Sequence, residues 1–137
     1  MITNMKNTLT FVYAALFFLS VSCARSVKPE QLYGEWKYIK VENPNQNPPY
    51  VMPDTEVRAE NPSIQFSKSN DLVIMWSGKR LSYGTFRMED NMIRYKEVLE
   101  GGTTREFPFL IKEISENRLV FETMQQDATR ITAERIR

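Results

Sequence analysis

From Ser63 to the C-terminus the chain is punctuated at short, even intervals. Polar or glycine turns fall at Ser67 to Asp71, Ser77-Gly78-Lys79, Glu89-Asp90-Asn91, Gly101-Gly102, Ser115-Glu116-Asn117 and Met124 to Asp127. The runs between them are too short for ordinary helices and are rich in aromatic and β-branched residues, as strands are. Ile64 and Phe66 alternate with Ser63, Gln65 and Ser67. Ile93, Tyr95 and Glu97 share one face of the next-but-two run, and Phe107, Phe109 and Ile111 alternate after it. Leu119 and Phe121 mark a seventh strand; Ile131, Ala133 and Arg135 stay in register on an eighth. Leu72 to Trp76 is a continuous apolar run, the pattern of a strand covered on both faces. With a first strand near Tyr33 to Glu42, the count is eight strands and no convincing helix. Short connections at nearly every step favour an all-β, antiparallel, up-and-down barrel. Eight strands can close on themselves, which removes exposed edges and leaves room for one small ligand.

The first strand opens with Leu32-Tyr33-Gly34-Glu35-Trp36-Lys37-Tyr38. Gly34 permits a close approach or a backbone turn that a side chain would block. Trp36 brings the largest apolar surface a side chain can bury, and is expected to plug one end of the barrel. Trp36 and Tyr38 share one face, whereas Ile39 and Val41 share the other; a bulge near Tyr38 reconciles them, as does a strand buried on both sides for part of its length. The next connection, Asn43 to Pro62, holds five of the seven prolines. Prolines at that density rule out a regular helix and a central strand on this reading. A loop this long inside a compact domain is often functional. Its apolar centre, Tyr50-Val51-Met52, has no use in a purely solvated loop.

The N-terminus reads as an export segment. Met1 to Asn7 carries one cation, Lys6, and Leu9 to Leu19 is apolar apart from Thr10. That run is short of the ~20 residues that span a bilayer and has the length of a signal-peptide core. Ser20-Val21-Ser22-Cys23 follows it, and Cys23 is the chain's one cysteine. A small residue before a lone cysteine, directly after an apolar core, resembles the lipobox of bacterial lipoproteins. The leucine usual three places before the cysteine is Ser20 here, with Leu19 one place further back. The resemblance implies cleavage before Cys23 and a diacylglycerol on its thiol; more than one acyl chain makes a stable anchor. Ala24, where aspartate would favour inner-membrane retention, leaves the outer membrane as the expected address, facing the periplasm. The alternatives are a plain secretory signal cut near Ser22 with a free thiol, and a buried core cysteine. The expected organisation is a signal peptide over 1–22, a lipidated cysteine and tether over 23–31, and one barrel domain over 32–137.

Composition removes several functions. Eighteen basic residues balance 17 acidic ones, without the basic stripe of a nucleic-acid binder. The chain has no histidine, the commonest metal ligand and neutral-pH base. With one cysteine, neither an internal disulfide nor a cysteine zinc site can form. The usual catalytic dyads and triads are therefore missing, and no enzyme activity, metal or cofactor is expected. Glu56, Glu60, Glu89, Asp90, Glu97 and Glu100 read as turn and surface carboxylates. Glu97 stands apart: on the face of Ile93 and Tyr95, it needs a cation partner or a raised pKa if that face is inward, and the expected place for it is near the open rim, in water.

Gly34-x-Trp36 at the start of eight meandering strands resembles the lipocalins and wider calycins, and the small lipocalin-like lipoproteins of Bacteroidota. A Gly-x-aromatic step such as Gly84-Thr85-Phe86 recurs mid-chain in the latter. The resemblance implies that Trp36 sits at the closed end under a basic residue from the last strand, Arg135 or next Arg137. It also implies that the loop after the first strand is a lid over the mouth. The open rim would then carry Asn43–Pro62, Ser77–Lys79, Leu99–Arg105 and Met124–Asp127. Candidate ligand contacts are Tyr50, Val51, Met52, Trp76, Tyr95 and Phe109; Gly34, Trp36 and Arg135 form the structural end. The expected role is non-catalytic binding of a small apolar or amphipathic ligand. In the alternative, Phe66, Tyr83, Phe86, Phe109 and Phe121 fill a solid barrel, and the rim loops bind an envelope protein partner.

Overall fold

The computed structural model describes residues 26–137. The expected signal peptide, Cys23 and the first tether residues lie outside the described residues. The strands are β1 (Gly34–Asn43), β2 (Tyr50–Val51), β3 (Ser63–Phe66), β4 (Asp71–Trp76), β5 (Lys79–Glu89), β6 (Met92–Val98), β7 (Thr104–Ile114), β8 (Arg118–Thr123) and β9 (Arg130–Arg135). A short helix, α1 (Asp54–Glu60), lies between β2 and β3. β1 and β3 to β9 pair in sequence order, every pair antiparallel. β9 returns to β1 through Trp36–Arg135 to Glu42–Arg130. The result is a closed eight-stranded antiparallel barrel, compatible with a lipocalin-like fold.

β1 spans the whole barrel wall, and its register shifts between Tyr38 and Lys40. The extra residue changes the side-chain phase. Trp36 and Tyr38 point inward below the bulge, and Val41 rejoins the core above it, leaving Ile39 exposed. A strand with strict alternation would have put Val41 in solvent.

The connection after β1 departs from expectation in one respect: it contains α1. Its prolines flank the helix instead of interrupting it. Pro53 is the N-cap residue, where a missing N–H costs nothing. Asn61 ends the helix in the left-handed region at φ 44°, and Pro62 follows. Asp54 and Glu56 occupy the first turn, at the positive end of the helix dipole. The helix has a structural task. β3 pairs with β1 over Gly34–Lys37, and β2 pairs with Glu42 and Asn43. The wall between them is closed by the Tyr38 N–H bonded to the Pro62 carbonyl, the Met52 N–H bonded to the Val41 carbonyl, and α1 packed on β1. Val57 of α1 is buried in the common core, and Met52 packs against it.

Two other expectations need correction. Tyr83 does not fill the barrel. Gly84 and Phe86 are buried, so the period-2 phase of β5 turns Tyr83 outward. There Arg80 lies 3.8 Å above its ring. β4 is not covered on both faces either: Leu72 is buried, while Val73 and Met75 stay half-exposed on the outer wall.

The closed end is built on Trp36, which is fully buried. Its indole N–H donates to the Leu32 carbonyl at 2.8 Å. The Arg135 guanidinium lies 4.1 Å above the indole ring. It also donates to three carbonyls: Gln31 at 2.7 Å, Glu116 at 2.7 Å, and Tyr33. One side chain thus ties β9 to the N-terminal crossing and to the β7–β8 turn. Gly34 adopts φ +125°, and a Cβ there would collide with the Arg137 carbonyl. Glycine at this place lets the C-terminal residues cross the start of β1.

Candidate functional site

Barrel closure aims the inward residues of every strand at one axis, so strand register decides what shares the interior. From the closed end upward the interior is filled. Phe66 and Phe86 meet edge to face at 5.1 Å. At mid-height Tyr38, Phe121, Phe109 and Tyr95 form a chain of rings with centroids 5.3–6.1 Å apart. Above that layer the filling stops, leaving a cavity of about 450 Å³ that opens to solvent.

The floor and walls of the cavity are mainly apolar, with Tyr38, Ile74, Trp76, Phe107, Phe109 and Phe121 among its lining residues. Its polar lining residues are Ser82, Glu97 and Arg105 on the β5–β7 wall, and Tyr38, Thr123 and Thr129 elsewhere. Ser82 and Tyr95 share a hydrogen bond of 2.6 Å between hydroxyls. Glu97 and Arg105 face each other at the mouth, with Arg105 Nη2 3.2 Å from Glu97 Oε1. The Arg105 guanidinium also stands 5.4 Å from the Phe107 ring. Burial raises the pKa of the Tyr95 phenol. The Ser82 hydrogen bond opposes that rise, and the neighbouring Glu97 charge adds to it. Burial, reinforced by Tyr95, raises the Tyr38 phenol as well. Both phenols are therefore neutral donors and acceptors at physiological pH, not anions.

Trp76 and Phe109 lie in the cavity wall. Tyr95 is fully buried behind the wall and reaches the cavity's edge through Ser82. Tyr50 and Val51 are placed differently from the lid expectation. They are 43% and 50% exposed, and Tyr50 borders a separate surface depression with Asn45–Pro49 and Asp127. The reason is the β1–β2 pairing. It lays Tyr50 and Val51 along the outside of the rim and turns only Met52 toward the core. Met52 packs beside α1 and helps seal the wall, but it is not part of the cavity lining. Gly34, Trp36 and Arg135 are at the far end of the barrel from the mouth.

Arg105, Ser82, Tyr38 and Phe107 join the site without having been singled out from the sequence. A signal for Arg105 was present. Glu97 and Arg105 are equidistant from Gly101, and a hairpin centred there sets them opposite each other, as β6 and β7 do. Tyr95 and Phe107 pair by the same symmetry.

Comparison with protein-family models, with curated proteins and with solved structures found no match.

Proposed function

We propose that this chain is an exported, lipid-anchored, non-catalytic binding protein whose barrel holds a small apolar or amphipathic ligand. The observation that carries the reading is the open, aromatic-lined cavity of about 450 Å³ with a few polar groups, Ser82, Glu97 and Arg105 among them, in its lining. A mostly apolar concavity with a few placed polar groups is the usual form of a small-molecule site. The lower half of the barrel is closed by Trp36 and packed rings, so entry is from the open rim. Anchoring would run through Cys23 to the outer membrane, with the domain in the periplasm; support for this is the apolar segment Leu9–Leu19 followed by Ser20-Val21-Ser22-Cys23.

Native mass spectrometry of the mature protein, purified from its host envelope without denaturant, tests the reading. A reproducible adduct mass, lost on substituting Phe109 by a larger side chain, is the expected result. A bare protein mass under every gentle extraction would count against a carrier role.

One observation favours a second reading, in which rim loops bind an envelope protein. Tyr50, Val51, Leu81 and Met124 are all large, apolar and 43–65% exposed around the open end. Exposed Tyr and Met suit a protein interface. Crosslinking in intact cells to one partner, abolished by deleting 47–53, would support it.

A further inference from the structure

The Glu97–Arg105 pair is lopsided. The Glu97 side chain is 13% exposed, the Arg105 side chain 61%. Their contact is also loose. One guanidinium nitrogen reaches the two carboxylate oxygens at 3.2 and 3.4 Å. Arg130–Glu122 and Arg87–Glu106 in the same barrel close to 2.7 Å, whereas Arg130–Glu42 also stands at 3.2 Å. A charge-assisted bond in good geometry is about 2.7–2.9 Å. The carboxylate is thus fixed just inside the mouth, while its cation sits largely in water, so a second cation entering the cavity can take its place without leaving the carboxylate unpaired.

These are the two charged residues among those lining the cavity. With Arg105 swung outward, what faces the interior is a nearly buried anion. The same cavity is lined by the Ser82 hydroxyl and the aromatic rings of Phe107, Phe109 and Trp76. Electron-rich ring faces attract cations, and the attraction grows as water is excluded. A ligand carrying an anionic head would meet the opposite environment. To seat its apolar body in the cavity it would place its charge beside Glu97. To bind the exposed side of Arg105 it would leave that body outside.

The geometry points to a small amphipathic cation as the ligand class: an ammonium group on a short apolar body, with the ammonium taking the place of Arg105 at Glu97. This inference rests on the cavity being a ligand site. Glu97 acts as the charge-reading group and Arg105 as the displaceable gate. The empty site is kept neutral by an internal cation, and the ligand exchanges with it.

The test compares three probes of one chain length on the mature protein: octylammonium, octanol and octanoate. Binding is read by calorimetry and by Trp76 fluorescence against the constant signal of buried Trp36. Octylammonium should bind at least tenfold more tightly than octanoate, and added salt should weaken it while leaving octanol unchanged. Glu97→Gln should reduce octylammonium to the octanol level. Arg105→Gln should strengthen octylammonium severalfold, since it removes the competitor; both variants are checked for intact strand content. If octanoate binds as well as octylammonium in wild-type protein, the ligand class is wrong although the cavity stands. If none of the three binds, the carrier reading fails and this inference with it.

Discussion

Arg135 should be the most costly single cation in the barrel. Replacing it by methionine keeps much of the apolar stem over Trp36 but deletes the guanidinium that spans Gln31, Tyr33 and Glu116. A hydrogen bond from a charged group is typically worth about 1.5–3 kcal/mol. Two of the three here are at exposed carbonyls, where water replaces the lost donor, so each of those counts for well under the full value. The Tyr33 bond is partly buried, and the stacking on Trp36 adds roughly 0.5–2 kcal/mol. The sum is a loss of about 2–5 kcal/mol, equivalent to a melting temperature lower by roughly 8–20 °C for a domain of this size. Urea denaturation followed by circular dichroism measures it, with the slope expected to stay unchanged. Arg135→Lys should lose most of the same stability, because an ammonium cannot fork to three carbonyls while covering a ring. A double-mutant cycle with Trp36→Phe isolates the stacking contribution. Were Arg135→Met to fall within about 0.5 kcal/mol of wild type, the range of an ordinary surface substitution, the account of the closed end would be wrong.

Gly34→Ala and Gly84→Ala should each destabilise by roughly 2–4 kcal/mol, since their new methyl groups would strike the backbone carbonyls of Arg137 and Lys96; thermal melts would show it. Glu42 governs part of the acid response. The Lys40 hydrogen bond, ahead of the Lys40 and Arg130 charges and against desolvation, holds its carboxyl below the usual 4.5. A depressed folded-state value contributes stability above the unfolded value and loses it as pH falls through the folded one. Urea midpoints should therefore decline below about pH 4.5, and Glu42→Gln should flatten that decline. Cys23→Ser should move the protein from the membrane fraction to the soluble periplasm, with loss of metabolic labelling by fatty acid. Continued membrane retention without label would refute lipid anchoring.

Much of the barrel is legible in order. Turn tripeptides cut the chain where strands end, and period-2 alternation names the inward face of β3, β6, β7 and β8. These are local properties, set by backbone geometry and side-chain burial within a few residues. The bulge in β1 was equally visible as a broken alternation. The helix α1 was missed because prolines were weighed over the whole connection, whereas helix formation depends on the proline-free stretch between Pro53 and Pro62. Tyr83 and the placement of Tyr50 and Val51 went astray for a related reason: an aromatic side chain does not state which side of a sheet it is on.

What tertiary structure alone decided is the division of the interior into a packed half and an open half. No local pattern distinguishes Phe86, locked against Phe66, from Phe107 on a cavity wall. Both alternate, and both point inward. The difference arises because Trp36, Arg135 and the C-terminal residues that cross the start of β1 close one end. At the other end β3 starts late, and α1 with Met52 fills the wall between β1 and β4. The unequal burial of Glu97 and Arg105 has the same origin. Their pairing follows from hairpin symmetry, but how deep each side chain lies depends on where the rim falls, and the closed barrel sets the rim.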